Sequence, residues 1–249
     1  MPDPNPIDGV RLVTGDPWRK RVEPCAGAVC YLGDAIEVIP SLGVCTDLLL
    51  TDIPYAEVSR TSQGLRNLDK GVADEPTFTL AQFDAAVLPC VSGSAYVFCG
   101  TEQVSWLRAS MVRRDMTTRV LVWEKTNPSP MNGQHVWLSG VELCVYGKHP
   151  GGCFNGFCRN TVLRYAVVNG QRHPTEKPLT MMLDLVRTSS NIGDLVCDCC
   201  MGSGVAGEAA LLEGRRFIGI EIDPGYFDIA CQRIADAAPL FTQTREADG

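Results

Sequence analysis

A chain of 249 residues with 45% hydrophobic content can bury one large core, and many of its twelve cysteines sit inside apolar runs such as Ala95–Gly100 and Asp194–Met201, which sets aside a small disulfide framework and points to reduced, buried thiols. A formal charge of -7 excludes strong unspecific attraction to phosphates over the whole surface, so any nucleic acid contact has to be local. No apolar run approaches the ~20 residues that span a bilayer, and Met1–Gly9 is rich in Pro and Asp rather than basic and then apolar, so a soluble, cytoplasmic protein is expected, with no membrane partner.

In chain order, short apolar runs alternate with helical patterns. Ala28–Leu32 reads as a strand, Asp34–Ile39 as a helix, Thr46–Thr51 as a strand and Leu80–Leu88 as a helix. Ser94–Cys99 follows as a strand, Glu102–Arg113 as a helix, and Thr117–Trp123 and Val141–Tyr146 as strands. The last third gives helix Pro178–Thr188, strand Leu195–Asp198, helix Val205–Glu213, strand Arg216–Glu221 and helix Pro224–Ala237. The pattern predicts a single α/β domain over 1–249, built on a mostly parallel seven-stranded sheet with helices on both faces. Two stretches lack periodicity: Ala56–Thr77 and Lys148–His173, the second rich in Gly and Asn.

Two turns carry chemistry. Asp198-Cys-Cys-Met-Gly-Ser-Gly204 follows an apolar strand and precedes an Ala-rich helix, so its glycines allow a ligand to approach the backbone closely. About 20 residues on, Glu221 ends the next strand, a spacing that suits a carboxylate holding the two hydroxyls of a ribose. Thr51-Asp52-Ile53-Pro54-Tyr55 ends another apolar strand and offers a carboxylate, the Ile53 carbonyl and an aromatic ring, a set able to hold a planar base bearing an NH2 group. Pro54 holds Ile53 extended. Read in isolation, the same turn is more often an ordinary strand end with Asp52 as a cap and Tyr55 as packing.

Charge and metal signals are weaker. Lys148, Arg159, Arg164, Arg172 and Lys177 face only Glu176 across 148–177, and Arg108, Arg113, Arg114, Arg119 and Lys125 face Asp115 and Glu124 across 104–125. Such runs are usually solvated faces. Cys144, His149, Cys153 and Cys158 could form a zinc set, but no Cys-x-x-Cys pair is present and Cys144 falls within a strand, so no metal is expected.

The motifs in this order resemble the beta class of S-adenosylmethionine-dependent DNA amino-methyltransferases, in which the catalytic tetrapeptide precedes the recognition region and the cofactor motifs come last. The resemblance rests on Leu32-Gly-Asp34-Ala-Ile-Glu37, Asp52-Ile-Pro-Tyr55, Trp123-Glu-Lys-Thr-Asn-Pro128, Glu142, His173-Pro-Thr-Glu-Lys-Pro178, Asp198–Gly204 and Gly214–Asp223 with Tyr226 and Arg233. It implies a Rossmann-like methyltransferase domain of circularly permuted motif order with a short target-recognition insert at 148–173. It also implies S-adenosyl-L-methionine as cofactor, double-stranded DNA with the target base flipped out as partner, a bacterial or viral host cell as the setting, and homodimers as an assembly common among relatives. By position, Asp34 would contact the cofactor's adenine and Glu221, with Ile222 beside it, its ribose. Asp198, Cys200, Gly202, Ser203 and Gly204 would flank its methionine part, and Thr175 and Lys177 would complete that pocket.

Asp52, Ile53, Pro54 and Tyr55 would form the catalytic site. Ile53 stands where the family usually has proline, and Cys199 and Cys200 where it has Pro and Phe. Asp at the head of the tetrapeptide implies adenine N6 as target, with cytosine N4 as the alternative. Methylation of RNA or of a protein amide, and a catalytically silent nucleic-acid-binding homologue, stay open as further readings.

Overall fold

The computed structural model describes residues 16–55, 78–128, 137–168 and 176–247, with side chains described to residue 238. The strands are β1 (Trp18–Cys25), β2 (Ala28–Gly33), β3 (Thr46–Asp52), β4 (Val91–Cys99), β5 (Thr117–Lys125), β6 (Val141–Lys148), β7 (Val162–Tyr165), β8 (Leu195–Asp198) and β9 (Arg216–Glu221). The helices are α1 (Ala35–Ser41), α2 (Leu80–Ala86), α3 (Val104–Val112), α4 (Leu179–Ser189), α5 (Val205–Leu212) and α6 (Pro224–Ala247).

Among the described residues the strands form one nine-stranded sheet in the order β1-β2-β9-β8-β3-β4-β6-β5-β7. The expected seven strands are all present, but the sheet is larger and more mixed than a mostly parallel seven-stranded one. The pairs β1/β2, β4/β6 and β5/β6 are antiparallel. The two added strands, β1 and β7, lie at the two edges of the sheet. An edge strand is paired on one side only and needs no continuous apolar run, which is why β1, with Arg19, Lys20, Arg21 and Glu23, reads as charged chain rather than as strand.

β3 shows how the sequence specifies its layers. Leu48 and Leu50 face one side and Leu49 the other, all fully buried, because side chains alternate along a strand. Leu48 and Leu50 join Met181, Leu185, Ala206, Ala210 and Ile234 from α4, α5 and α6 in one core. Leu49 joins Val38, Ile39, Phe83, Leu107 and Met111 from α1, α2 and α3 in the other.

The five central strands β2, β9, β8, β3 and β4 run parallel, so all of their carboxyl ends reach one edge of the sheet. That edge receives Asp34, Glu221, Asp198 and Asp52, and the antiparallel β6 brings its first residues, Val141 and Glu142, to the same place. The chain after β6 starts from the opposite edge, where His149 N donates to Gly93 O at 2.9 Å. There the Asn155 side chain donates to the carbonyls of Arg187 and Ser190, each at 2.9 Å, at the end of α4. Of the stretch 148–173, β7 then runs back parallel to β5, and among its described residues only those at 166–168 lie beyond it toward the Asp52 edge. Residues 56–77 and 169–173 of the two aperiodic stretches lie outside the described residues.

Candidate active site

Asp52 is the last residue of β3, and its environment is made by three other elements. Lys177, just before α4, places its ammonium on Asp52 Oδ2 and 3.0 Å from Glu142 Oε2. Lys125, the last residue of β5, meets the other Glu142 oxygen at 2.7 Å. Tyr55 OH donates to Glu142 Oε2 at 3.3 Å. Carboxylate and ammonium thus alternate from Asp52 through Lys177 and Glu142 to Lys125. Lys177 Nζ also lies 5.2 Å from the centroid of the Phe98 ring, a cation–π contact that helps hold the charge away from water.

Backbone contacts fix the tetrapeptide. Ile53 N donates to Phe98 O at 3.1 Å, so the turn leaves β3 still stitched to β4. Gln103, 4% exposed, donates from Nε2 to Pro54 O at 3.0 Å while its Oε1 accepts from Gly100 N at 2.8 Å. Ile53 itself is buried in the core, so its side chain replaces a proline ring with packing against α1 to α3.

The electrostatics follow from burial. Burial pushes the Asp52 carboxyl above the usual range and Glu142 adds to this, while Lys177 opposes it. Glu142 would also be raised by burial, but Lys177 and Lys125 outweigh that and hold it below the ordinary value. Lys177 stays protonated because its two carboxylates outweigh desolvation. Burial next to Asp52 and Glu142 raises the Tyr55 phenol far above its usual value, so it is a neutral ring and donor, not a base. Asp52 Oδ1 is buried and, among the described residues, has no hydrogen-bond partner. A buried acceptor without a donor is costly, and an NH2 group presented there would satisfy it.

The second half of the site lies on the neighbouring strands. Thr51 Oγ1 is 3.2 Å from Cys199 Sγ, which ties the end of β3 to the turn after β8. In that turn Gly204 has φ of 80°, and Gly202 N donates to Glu221 Oε2 at 2.8 Å. Glu221 Oε1 accepts from the backbone N–H groups of Ile222 and Asp223, both at 2.9 Å. A carboxylate has about four acceptor positions, so Glu221 can bind its own loop and still accept from hydroxyls.

Burial pushes Asp198 up to about 7, with Asp52 and Glu221 adding to the shift against bonds from Cys200 N and Thr51. Glu221 is raised chiefly by burial as well. Asp52, Asp198 and Glu221, each raised by burial, end three neighbouring strands, so a cation brought among them would favour their ionised forms.

The two halves anticipated from sequence therefore share one edge. Asp34 caps α1, accepting from Ile36 N at 3.0 Å. Cys200 N binds Asp198 Oδ1 at 3.0 Å. Ser203 Oγ donates to Glu176 Oε2 at 3.0 Å and accepts from Arg233 Nη1 at 3.2 Å, linking the turn to the chain before α4 and to α6. Lys177, expected in the cofactor pocket, has its ammonium on Asp52, and Thr175 lies outside the described residues.

Glu142 and Lys125 had been noted only as parts of longer motifs, and Gln103 carried no signal. Their roles depend on which strand lies next to which. Cys144 is buried inside β6, and the described residues contain no group of three or more His, Cys, Asp or Glu able to hold a metal. No described helix is long and apolar enough to cross a membrane.

Comparison with known proteins agrees with this geometry. A family profile described as DNA methylase matches residues 122–232. DNA adenine methyltransferase YhdJ of Escherichia coli (strain K12) is 39% identical over 72 residues, which are 29% of this chain and 24% of that protein. Type II methyltransferase M2.DpnII of Streptococcus pneumoniae is 27% identical over 136 residues, 46% of this chain and 49% of the relative. The chain thus spans between a quarter and half of the length of these two relatives. The crystal structure of the M1.HpyAVI-SAM complex superposes with a TM-score of 0.68 at 24% identity, covering 83% of this chain and 98% of the other, which shows the shared fold.

Proposed function

We propose that the chain is a member of the beta class of S-adenosylmethionine-dependent DNA amino-methyltransferases, the N6-adenine and N4-cytosine family, and that it methylates the exocyclic amino group of a DNA base, adenine N6 first, in a bacterial or viral host cell; the DNA methylase profile and the two methyltransferase relatives support this reading. The observation that carries this reading is the buried, unpartnered Asp52 Oδ1 beside Tyr55, on the edge that also bears the glycine turn and Glu221.

The cofactor supplies a methyl group on a positively charged sulfur. Glu221 and the backbone of 202–204 would hold its ribose and methionine part, and Asp34, just after β2, would face its adenine. The target base leaves the duplex stack at a cost of a few kcal/mol, and stacking on Tyr55 offsets about 1–3 kcal/mol of it. Asp52 Oδ1 and the Ile53 carbonyl accept from the amino group, turn its lone pair toward the methyl carbon and favour the positive charge that develops on nitrogen. Lys177 opposes the upward push of burial on the Asp52 carboxyl, and Gln103 holds the turn in place. No thiolate attack is needed. Recognition of sequence falls to the segments at this edge, including the part of 148–173 that returns to it after β7.

Incubation with labelled cofactor and unmodified DNA, followed by mass spectrometry of the nucleosides, tests the reading. N6-methyladenine is the expected product. N4-methylcytosine would move the target within the same chemistry, and unlabelled DNA beside labelled RNA or protein would overturn the substrate.

A further inference from the structure

Of the four tryptophans, Trp123 is buried and Trp18 and Trp106 are half-buried, whereas Trp137 is 98% exposed. An indole left wholly in water loses the packing that usually justifies its size. Its position is not arbitrary. Gly140 N donates to Leu138 O and Lys125 N donates to Gly140 O, both at 2.8 Å, so the chain leading into β6 is held against the end of β5. Lys125 reaches Glu142, and Glu142 reaches Tyr55 and Lys177. Three residues separate Trp137 from Gly140, a span of at most about 11 Å, which keeps the indole close to the catalytic edge.

The neighbouring surface is apolar too. Leu138 is 44% exposed, Val141 51% and Val168 38%. Val168 is brought in by Asn127, whose side chain donates to Val167 O at 3.1 Å and accepts from Val167 N at 2.6 Å. Two chain segments therefore present a fixed apolar lip beside a site whose interior is charged. A lip of this kind has poor affinity for phosphates and good affinity for the faces of bases.

Building on the proposed DNA substrate, we propose that Trp137 is a wedge that enters the duplex next to the target base, its indole stacking in the gap left when that base swings out to Tyr55. The partner is duplex DNA with a paired target. Trp137 holds the duplex open and takes no part in methyl transfer.

The test compares wild type, Trp137→Ala and Trp137→Phe on duplexes with a paired target, a mismatched target or 2-aminopurine at the target position. The wedge predicts that Trp137→Ala loses about 10-fold or more in kcat/KM on the paired duplex, within the range of one base–aromatic stack. It further predicts that most of this loss is recovered on the mismatched target, where opening is already paid for, and that Trp137→Phe lies between. Emission from 2-aminopurine should rise on binding wild type and much less on binding Trp137→Ala. An equal loss on paired and mismatched targets would make Trp137 a plain contact and overturn the wedge, as would no loss on either. If wild type methylates no DNA at all, the substrate reading fails first and the wedge with it, an outcome distinct from an active wild type with an equally active Trp137→Ala.

Discussion

Burying the ammonium of Lys177 is unfavourable unless carboxylates compensate it, and two do, with only 3% of the side chain open to solvent. Lys177→Met keeps the bulk but removes the cation between Asp52 and Glu142, leaving Glu142 its Lys125 and Asp52 no ammonium. Asp52 then ionises less readily, so the acid limb of the pH–rate profile moves to higher pH and kcat at neutral pH falls ~10-fold or more. Denaturant titration should show a loss of about 3–5 kcal/mol, the usual result of removing one partner of a buried ion pair. A profile that overlays the wild type would separate Lys177 from the ionisation of Asp52.

Asp198 makes the opposite kind of prediction. Its folded-state value of about 7 lies above that of an unfolded aspartate, so its contribution to stability is full below the unfolded value and is lost as pH rises through about 7. A bound cation favours the ionised form. Affinity for S-adenosylmethionine should therefore rise roughly tenfold from pH 6 to pH 8, with proton release seen by calorimetry in two buffers, and Asp198→Asn should flatten that dependence. Asp52, Asp198 and Glu221 were legible in the sequence because each ends an apolar strand. The partner of Lys177 was not, because 125 residues separate it from Asp52 and only the sheet order joins them.

Between β8 and α5, Gly204 occupies a left-handed conformation at φ of 80°, and a Cβ there would lie 3.0 Å from both Cα and Cβ of Ala230 in α6. Gly204→Ala combines backbone strain with an overlap that neither helix can relieve without moving. A loss of about 1–3 kcal/mol in unfolding free energy by denaturant titration is expected, together with weaker cofactor binding, because the same turn presents Gly202 N to Glu221. The glycine turn and the central strands could be read from sequence because they combine apolar runs with glycine at a strand end. The edge strands could not. β1 carries Arg19, Lys20, Arg21 and Glu23 and is held on one side only, by the next strand β2, while β7 has four residues inside a polar stretch and takes its pairing from β5, distant in sequence.

At the scale of the whole molecule the sheet joins early chain to late chain: β2 pairs with β9 and β3 with β8. Cofactor binding should accordingly stabilise the fold as a unit, by about 2.7 kcal/mol at a concentration 100 times the dissociation constant. Thermal unfolding should show that gain in wild type and in Asp52→Ala, which keeps the cofactor half but loses most methyl transfer, and should show little of it in Glu221→Ala. Interleaving of this kind also has a consequence for synthesis. Asp52 leaves the ribosome long before Glu221, yet its strand has no companion on one side until β8 has been made, and Glu221 follows only with β9. A nascent chain that ends between the tetrapeptide and β9 would carry all four of its residues without Glu221 beside them, so on the proposed reading the site comes together only after β9 has been made.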